Sequence, residues 1–185
     1  NYTGHGSDVS FATTGFDNND INDLTNENMF PFIFSVACVN GNFTSQTCFA
    51  ETWLRANNSD PNRPTGAVAV IMSTINQSWS PPMSAQDEMN DILVESFQNN
   101  IKRTFGGVTI NGCMKMNEDY GEDGFDMTDT WTIFGDPSVM LRTKSAEQMV
   151  VNHLEFLPIG SSSISISCDQ SNATICLTSN GEIIA

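Results

Sequence analysis

Two continuous apolar runs limit what this chain can fold into. Phe32-Ile33-Phe34-Ser35-Val36-Ala37 and Gly66-Ala67-Val68-Ala69-Val70-Ile71-Met72 lack polar alternation, the pattern of strands covered on both faces. The segments around them read as helices. Cys48–Ala56 places Phe49, Trp53 and Leu54 on one side, and Ser84-Ala85-Gln86-Asp87 reads as a capping box leading into Met89, Ile92, Leu93 and Phe97 at helical spacing. A further helix is expected over Ile101–Met116, where Gly106-Gly107 would permit close packing, and Val139-Met140-Leu141 reads as a last strand. Strands separated by helices imply parallel pairing and a sheet covered on both sides, so residues 1–143 are expected to form an α/β domain.

After Lys144 the pattern changes. Met149–Leu157, Ser161–Cys168 and Ala173–Thr178 alternate apolar and polar residues, and Asn180-Gly181 offers a turn between Leu177 and Ile183-Ile184. Residues 144–185 therefore read as the opening strands of an all-β sandwich, cut off before it closes. The start, Asn1-Tyr2-Thr3-Gly4-His5-Gly6, reads as the end of a strand entering a glycine turn, so the sequence is expected to lack an upstream portion.

The 185 residues carry 22 acidic and 7 basic side chains, a net charge of −15. Coulomb repulsion then excludes nucleic-acid phosphates and anionic membrane surfaces as partners. No apolar run reaches the ~18–20 residues that cross a bilayer, and no signal segment stands at the start. The five cysteines (Cys38, Cys48, Cys113, Cys168 and Cys176) leave at least one thiol unpaired if the others form disulfides. Cys168 and Cys176 could face each other across a hairpin. The acidic balance fits a secreted or cell-surface protein. Two histidines far apart in sequence, His5 and His153, with no CxxC, make no zinc site; His153 reads as structural.

Two segments share one design, a strand that ends in a reactive residue. Thr3-Gly4-His5-Gly6 uses glycines to turn sharply, and Val36-Ala37-Cys38 delivers a thiol to the C-terminal edge of an apolar strand. Ligands bind at that edge in open α/β sheets. If the two strands are neighbours, His5 faces Cys38. A thiol with a reference pKa of ~8.5 needs such an imidazole to become a nucleophile at neutral pH. The backbone N–H groups of Gly6 and Cys38 would then receive an oxyanion. The plainer alternative is a core cysteine and a surface histidine.

Residues 1–143 resemble the catalytic domain of the gingipains, secreted cysteine endopeptidases of the clostripain and caspase-like superfamily. The matching blocks are NYTGHGS (1–7), PFIFSVACVNG (31–41), CFAE (48–51), STINQSW (73–79), QDEMN (86–90), NNIKRTFGG (99–107) and DTWTIFGDPS (129–138). STINQSW and QDEMN place the chain closer to the arginine-specific branch. The resemblance implies a caspase-like three-layer α/β/α sandwich over residues 1–143, of which this is the C-terminal part, followed by the first strands of an immunoglobulin-like domain over 144–185.

It further implies a bacterial, secreted or cell-surface endopeptidase that cleaves proteins or peptides after a basic P1 residue, arginine by preference. Cys38 matches the nucleophile and His5 the general base, with Gly6 and Cys38 as oxyanion donors. Trp79 matches the wall of the P1 pocket, Met83 lines up with a further pocket residue, and Thr3 and Val36 lie near its mouth. A flat indole suits a guanidinium through stacking and cation–π attraction. The acidic residue at the pocket base and the carboxylate that orients the histidine would come from the missing upstream half, present as a separate chain or otherwise. The local carboxylates Asp87 and Asp8 read instead as a helix cap or surface groups.

Catalysis of this kind needs no cofactor. Glu118, Asp119, Glu122, Asp123, Asp126 and Asp129 form an acidic run that reads as a solvated loop, although the resembled family contains structural calcium and calcium could sit there. Two rivals to arginine-specific proteolysis are a non-catalytic acidic adhesin or scaffold on the same fold, and a peptidase of lysine or broad specificity.

Overall fold

The computed structural model describes residues 1–185 except Ser45, Lys144, Ala146, Glu147, Leu157, Pro158, Asn172 and Ala185. The expected domain junction at Lys144 and the expected strand end at Leu157 thus fall outside the described residues. The chain divides into two compact units, Asn1–Thr143 and Lys144–Ala185.

The first unit is built on a four-stranded sheet. Its strands are β1 (Tyr2–Thr3), β5 (Phe32–Val36), β6 (Ala69–Ser73) and β7 (Trp131–Phe134), in the order β1-β5-β6-β7. A three-stranded antiparallel sheet of β2 (Gly6–Ser7), β3 (Ser10–Phe11) and β4 (Phe16–Asp17) leads into the short helix α1 (Asn18–Asn22). Helix α2 (Phe49–Arg55) joins β5 to β6, and α3 (Ser80–Leu93), α4 (Phe105–Tyr120) and α5 (Glu122–Thr130) follow β6.

The two apolar runs form β5 and β6, and their period of two sorts the core into two faces. Phe34, Val36, Ala69 and Ile71 pack with Ala85, Met89 and Ile92 of α3 and Phe105, Val108 and Met116 of α4. Ile33, Val70 and Met72 point the other way, onto Phe49, Ala50 and Trp53 of α2 and Ile21 of α1. The result is an α/β/α sandwich. Phe105 is fully buried, stacked on Phe32 and Phe34 at ring-centroid distances of 5.5 and 5.4 Å. Each such pair adds about 0.5–1.5 kcal/mol beyond burial, and truncating the ring to alanine costs about 3–5 kcal/mol.

Several elements differ from the sequence reading for identifiable reasons. β1, β5 and β6 pair in parallel, but β7 is antiparallel to β6 with Trp131 opposite Ser73. Three helices, rather than one crossover helix, separate β6 from β7, and a connection of that length can return the chain in either direction. The last strand is Trp131–Phe134, whereas Met140 makes only an isolated bridge to Thr104. Helix α3 starts at Ser80, a turn before the expected capping box, because Pro81-Pro82 suit a first turn whose N–H groups have no intrahelical partner. Helix α4 starts at Phe105, capped by Thr104, whose hydroxyl accepts from the Gly107 N–H at 3.1 Å. Gly106 does provide close packing: a Cβ there would lie 2.7 Å from Pro137. The acidic run is not a loop but the end of α4 and most of α5, where Glu122 and Asp123 face the positive end of the helix dipole. Among the described residues no three acidic, histidine or cysteine side chains converge as a cation site.

The second unit consists of two strand pairs. β8 (Val151–His153) is antiparallel to β9 (Ile166–Cys168), and β10 (Thr178–Ser179) to β11 (Glu182–Ile183). Asn180 and Gly181 both have positive φ, 53° and 85°, which gives the expected tight hairpin. Cys168 and Cys176 are both free thiols, so they are not paired across a hairpin.

Candidate active site

Parallel pairing of β1 with β5 sets Thr3 beside Val36, and the Gly4 N–H extends the ladder to the Val36 carbonyl at 3.1 Å. Both strands therefore end at the same edge of the sheet, and the residues that follow them, His5 and Cys38, emerge there. Ligands gather at this edge in α/β sheets.

The His5 backbone is held from two sides. Its carbonyl accepts from the Tyr2 hydroxyl at 2.7 Å, and its N–H donates to Thr13 Oγ1 at 2.8 Å. Tyr2 in turn stacks on Phe11 with centroids 3.8 Å apart. The His5 side chain is exposed and meets Trp79 edge to face, with centroids 5.4 Å apart and planes at 82°. Gly6 then enters a hairpin closed by Asp8-Val9. A two-residue loop makes Ser7 and Ser10 the hydrogen-bonded pair, so the adjacent Gly6–Phe11 pair is non-hydrogen-bonded and the Gly6 N–H is unused by β3.

Cys38 lies two residues beyond the end of β5 and is half-buried. Its thiol points at the Gln77 carbonyl, 3.7 Å away. The next residue, Val39, has φ of 51°, a conformation that a β-branched residue adopts only when its surroundings impose it. The Val39 N–H donates to Ile75 O at 2.9 Å and the Gly41 N–H to Ser73 O at 2.8 Å. These bonds fix the turn, while no acceptor takes the Cys38 N–H among the described residues.

The thiol opens onto a cleft lined by Gly4, Val36, Ala37, Cys38, Gln77, Ser78 and Trp79. Of the residues expected from the sequence, Cys38, Val36 and Trp79 share this cleft, and His5 reaches it through Trp79. The other three do not line it. Thr3, opposite Val36 in the sheet, donates its hydroxyl to Gln86 Oε1 at 2.6 Å, Gly6 packs against the Cys38 carbonyl, and Met83 lines a separate acidic groove with Ser84, Asp87 and Glu88. Asp87 is exposed on α3, and Asp8 accepts from Asn42 Nδ2 at 3.4 Å; neither faces the cleft. The cleft is a cavity of about 10 Å³, room for about one water and not for an arginine side chain.

Two residues at the site were not singled out in the sequence. Gln77 lines the cleft, and its carboxamide is buried with neither Oε1 nor Nε2 meeting a hydrogen-bond partner among the described residues. Asn40 is fully buried and bridges the Cys38 turn to the β2–β3 hairpin. Only a polar residue in an otherwise apolar neighbourhood could have signalled either one. The other thiols offer no competing nucleophile inside the fold: burial pushes Cys48 up, and it pushes Cys113 up to about 11.

Comparison with known proteins agrees with this geometry. The profile of peptidase family C25 matches residues 1–142. The chain is 50% identical over 184 residues to gingipain R1 of Porphyromonas gingivalis, covering 99% of this chain and 18% of that protein. A crystal structure of the Arg-specific cysteine proteinase gingipain R superposes with a TM-score of 0.80 at 50% identity, over 91% of this chain and 39% of the other. A complex of the pro- and mature domains of the P. gingivalis protein superposes with a TM-score of 0.82 at 48% identity, over 99% of this chain and 43% of the other. The chain thus spans less than half the length of each of these relatives, which are bacterial. No helix among the described residues is long and apolar enough to cross a membrane. With its first 142 residues matched and its sheet edge built as described, the chain belongs to peptidase family C25.

Proposed function

We propose that this chain carries the nucleophile and general base of a secreted bacterial cysteine endopeptidase that cleaves after arginine. The observation that carries the reading is the single cleft shared by Cys38 and Trp79, with His5 packed on the indole. A thiolate, an imidazole and a flat cation-binding wall are what hydrolysis beside a guanidinium requires.

In the reaction, Cys38 Sγ attacks the scissile carbonyl carbon, and the carbonyl oxygen becomes an oxyanion facing the N–H groups of Gly6 and Cys38. Each donor of this kind is worth about 2.7–4 kcal/mol. The imidazolium of His5 gives its proton to the leaving amine as the C–N bond breaks. Water then attacks the thioester while His5 takes its proton, which releases the acid and restores the thiol.

The neutralising carboxylate for the P1 guanidinium and the group that orients His5 come from a complementing part of the catalytic domain, in the same chain or another. The small volume of the present cleft is in keeping with a pocket that needs a second wall. Residues 1–143 act as the catalytic part and 144–185 as the start of an immunoglobulin-like domain. The chemistry uses no cofactor, and calcium would serve only stability. Cys38 is a free thiol, as a nucleophile must be.

The test is turnover by the full-length protein on peptides that differ only at P1. Arginine should exceed lysine, and citrulline, isosteric but uncharged, should be cleaved at least a hundredfold more slowly. C38A should abolish all three activities. Retained cleavage in C38A, or equal rates on arginine and citrulline, would contradict the reading.

A further inference from the structure

Asn40 has no exposed surface and lies two residues after the nucleophile. Its Nδ2 donates to the carbonyls of Ser7 at 2.7 Å and Ser10 at 2.8 Å, which flank the hairpin that Gly6 enters. Its Oδ1 accepts from Ser35 Oγ at 3.2 Å, inside β5, and its own carbonyl accepts from the Ala50 N–H at 3.0 Å, in α2. The hairpin is tied to the same helix by the Phe49 N–H, which donates to Asp8 O at 2.7 Å. One side chain thus connects the strand and turn that present Cys38 to the hairpin that follows His5.

Two close approaches show how little slack this connection leaves. A Cβ on Gly6 would overlap the Cys38 carbonyl oxygen and would sit 3.0 Å from Asn40 Nδ2. Val39, between Cys38 and Asn40, is held at positive φ. A turn strained in this way persists only while its neighbours over-determine it, and Asn40 supplies bonds on three sides of it.

We propose that Asn40 is a positioning residue for the Cys38–His5 pair. Its carboxamide sets the distance between the thiol turn and the histidine hairpin, and so sets whether the imidazole can reach the thiol. This inference rests on the reading of Cys38 and His5 as nucleophile and base. An aspartate could not replace it, because an ionised carboxylate cannot donate to the two hairpin carbonyls.

The test is the pH dependence of Cys38 alkylation by iodoacetamide in the full-length protein, with the modified peptide quantified by mass spectrometry. An isolated thiol with a pKa of ~8.5 is about 1% thiolate at pH 6.5, whereas an imidazole-paired thiol is largely ionised there. The wild type should therefore react at pH 6.5 at least tenfold faster than H5A. If it does not, the dyad itself fails, and the inference falls with it. Given that low-pH reactivity, N40A and N40D should lose it to within about threefold of H5A, and S35A, which frees only Oδ1, should lose part of it.

A packing control separates positioning from general loosening. M116A, in the helical core of α4 and not in the thiol turn, should lower the melting temperature while leaving the pH profile of Cys38 in place. Should N40A prove too unstable to assay, S35A and N40D read at a lower temperature decide the matter. Wild-type profiles in N40D and S35A, or the same change in M116A, would overturn the proposal.

Discussion

Cys38 and Cys113 carry the same thiol in opposite surroundings. Cys113 is packed inside α4 against the sheet, and burial pushes its pKa up to about 11, only partly offset by a hydrogen bond from Thr128. Cys38 stands at the open edge of the same sheet, beside backbone carbonyls and an aromatic wall. Desolvation disfavours a thiolate, so the core makes one cysteine inert and the strand end makes the other available. The contrast is between a thiol packed inside a core helix and one that follows the open end of a strand.

The largest effect on this contrast is expected from Gly6. G6A drives a methyl group into the Cys38 carbonyl and against Ala37 Cβ at 2.9 Å, so the hairpin must move. A misplacement of about 1 Å at a catalytic group costs about a hundredfold. Steady-state kinetics of G6A should show at least that loss in kcat/KM with the fold retained by circular dichroism. A fall of less than threefold would mean that the hairpin does not set the geometry of the thiol.

Gln77 offers the next largest change. Its carboxamide is buried without a partner among the described residues, and leaving such a group unsatisfied costs about 1–3 kcal/mol. Q77L is expected to leave the melting temperature unchanged or raised while lowering kcat/KM about tenfold, because the amide that the fold leaves unpartnered for substrate is then gone. A variant that lost stability and kept activity would assign Gln77 to the fold.

Cys113 tests the other side of the comparison. Its folded pKa of about 11 lies above the unfolded thiol value of about 8.5. The folded state binds the proton more tightly, so the stability this thiol contributes is complete below the unfolded value and is lost as the pH rises through about 11. Melting curves of wild type and C113A should converge over that window by a few kcal/mol at most. Parallel curves would show that Cys113 is not desolvated. The smallest effect is expected from the helix cap: T104A removes the bond to the Gly107 N–H and should cost about 1 kcal/mol in a denaturant melt, with kcat/KM unchanged.

The parts of the fold that were legible in the sequence are those where burial wrote a pattern into adjacent residues. β5 and β6 were visible because both faces are covered, and α2 because Phe49 and Trp53 recur at helical spacing. The Asn180-Gly181 turn was visible because few other pairs accept two positive φ angles. The start of α3 was missed because prolines read as breakers, although the first turn tolerates them. The acidic α5 was missed because charge reads as solvation and is equally compatible with a helix whose N-terminus welcomes it.

The site divides in the same way. The arrival of Cys38 and His5 at one sheet edge was legible because each follows a strand end. Asn40 and Gln77 were not. Their burial is created by the β2–β3 hairpin and the 73–79 loop folding onto the sheet edge, and no local periodicity records such an encounter. Thr3 lies opposite Val36, and its hydroxyl is engaged by Gln86, which also donates to the Tyr2 and Phe34 carbonyls, an encounter with α3 that no local pattern records.

One measurement tests the assignment of Cys38 most directly. The full-length protein, exposed to an arginyl chloromethyl ketone, is examined by intact mass and peptide mapping. One adduct on Cys38, absent from C38A and suppressed by an excess of an arginine-terminated peptide, is the expected result. An adduct on Cys168 or Cys176 instead, or labelling of Cys38 at the same rate by a ketone with a neutral side chain, would contradict the assignment of this sheet edge as an arginine-directed active site.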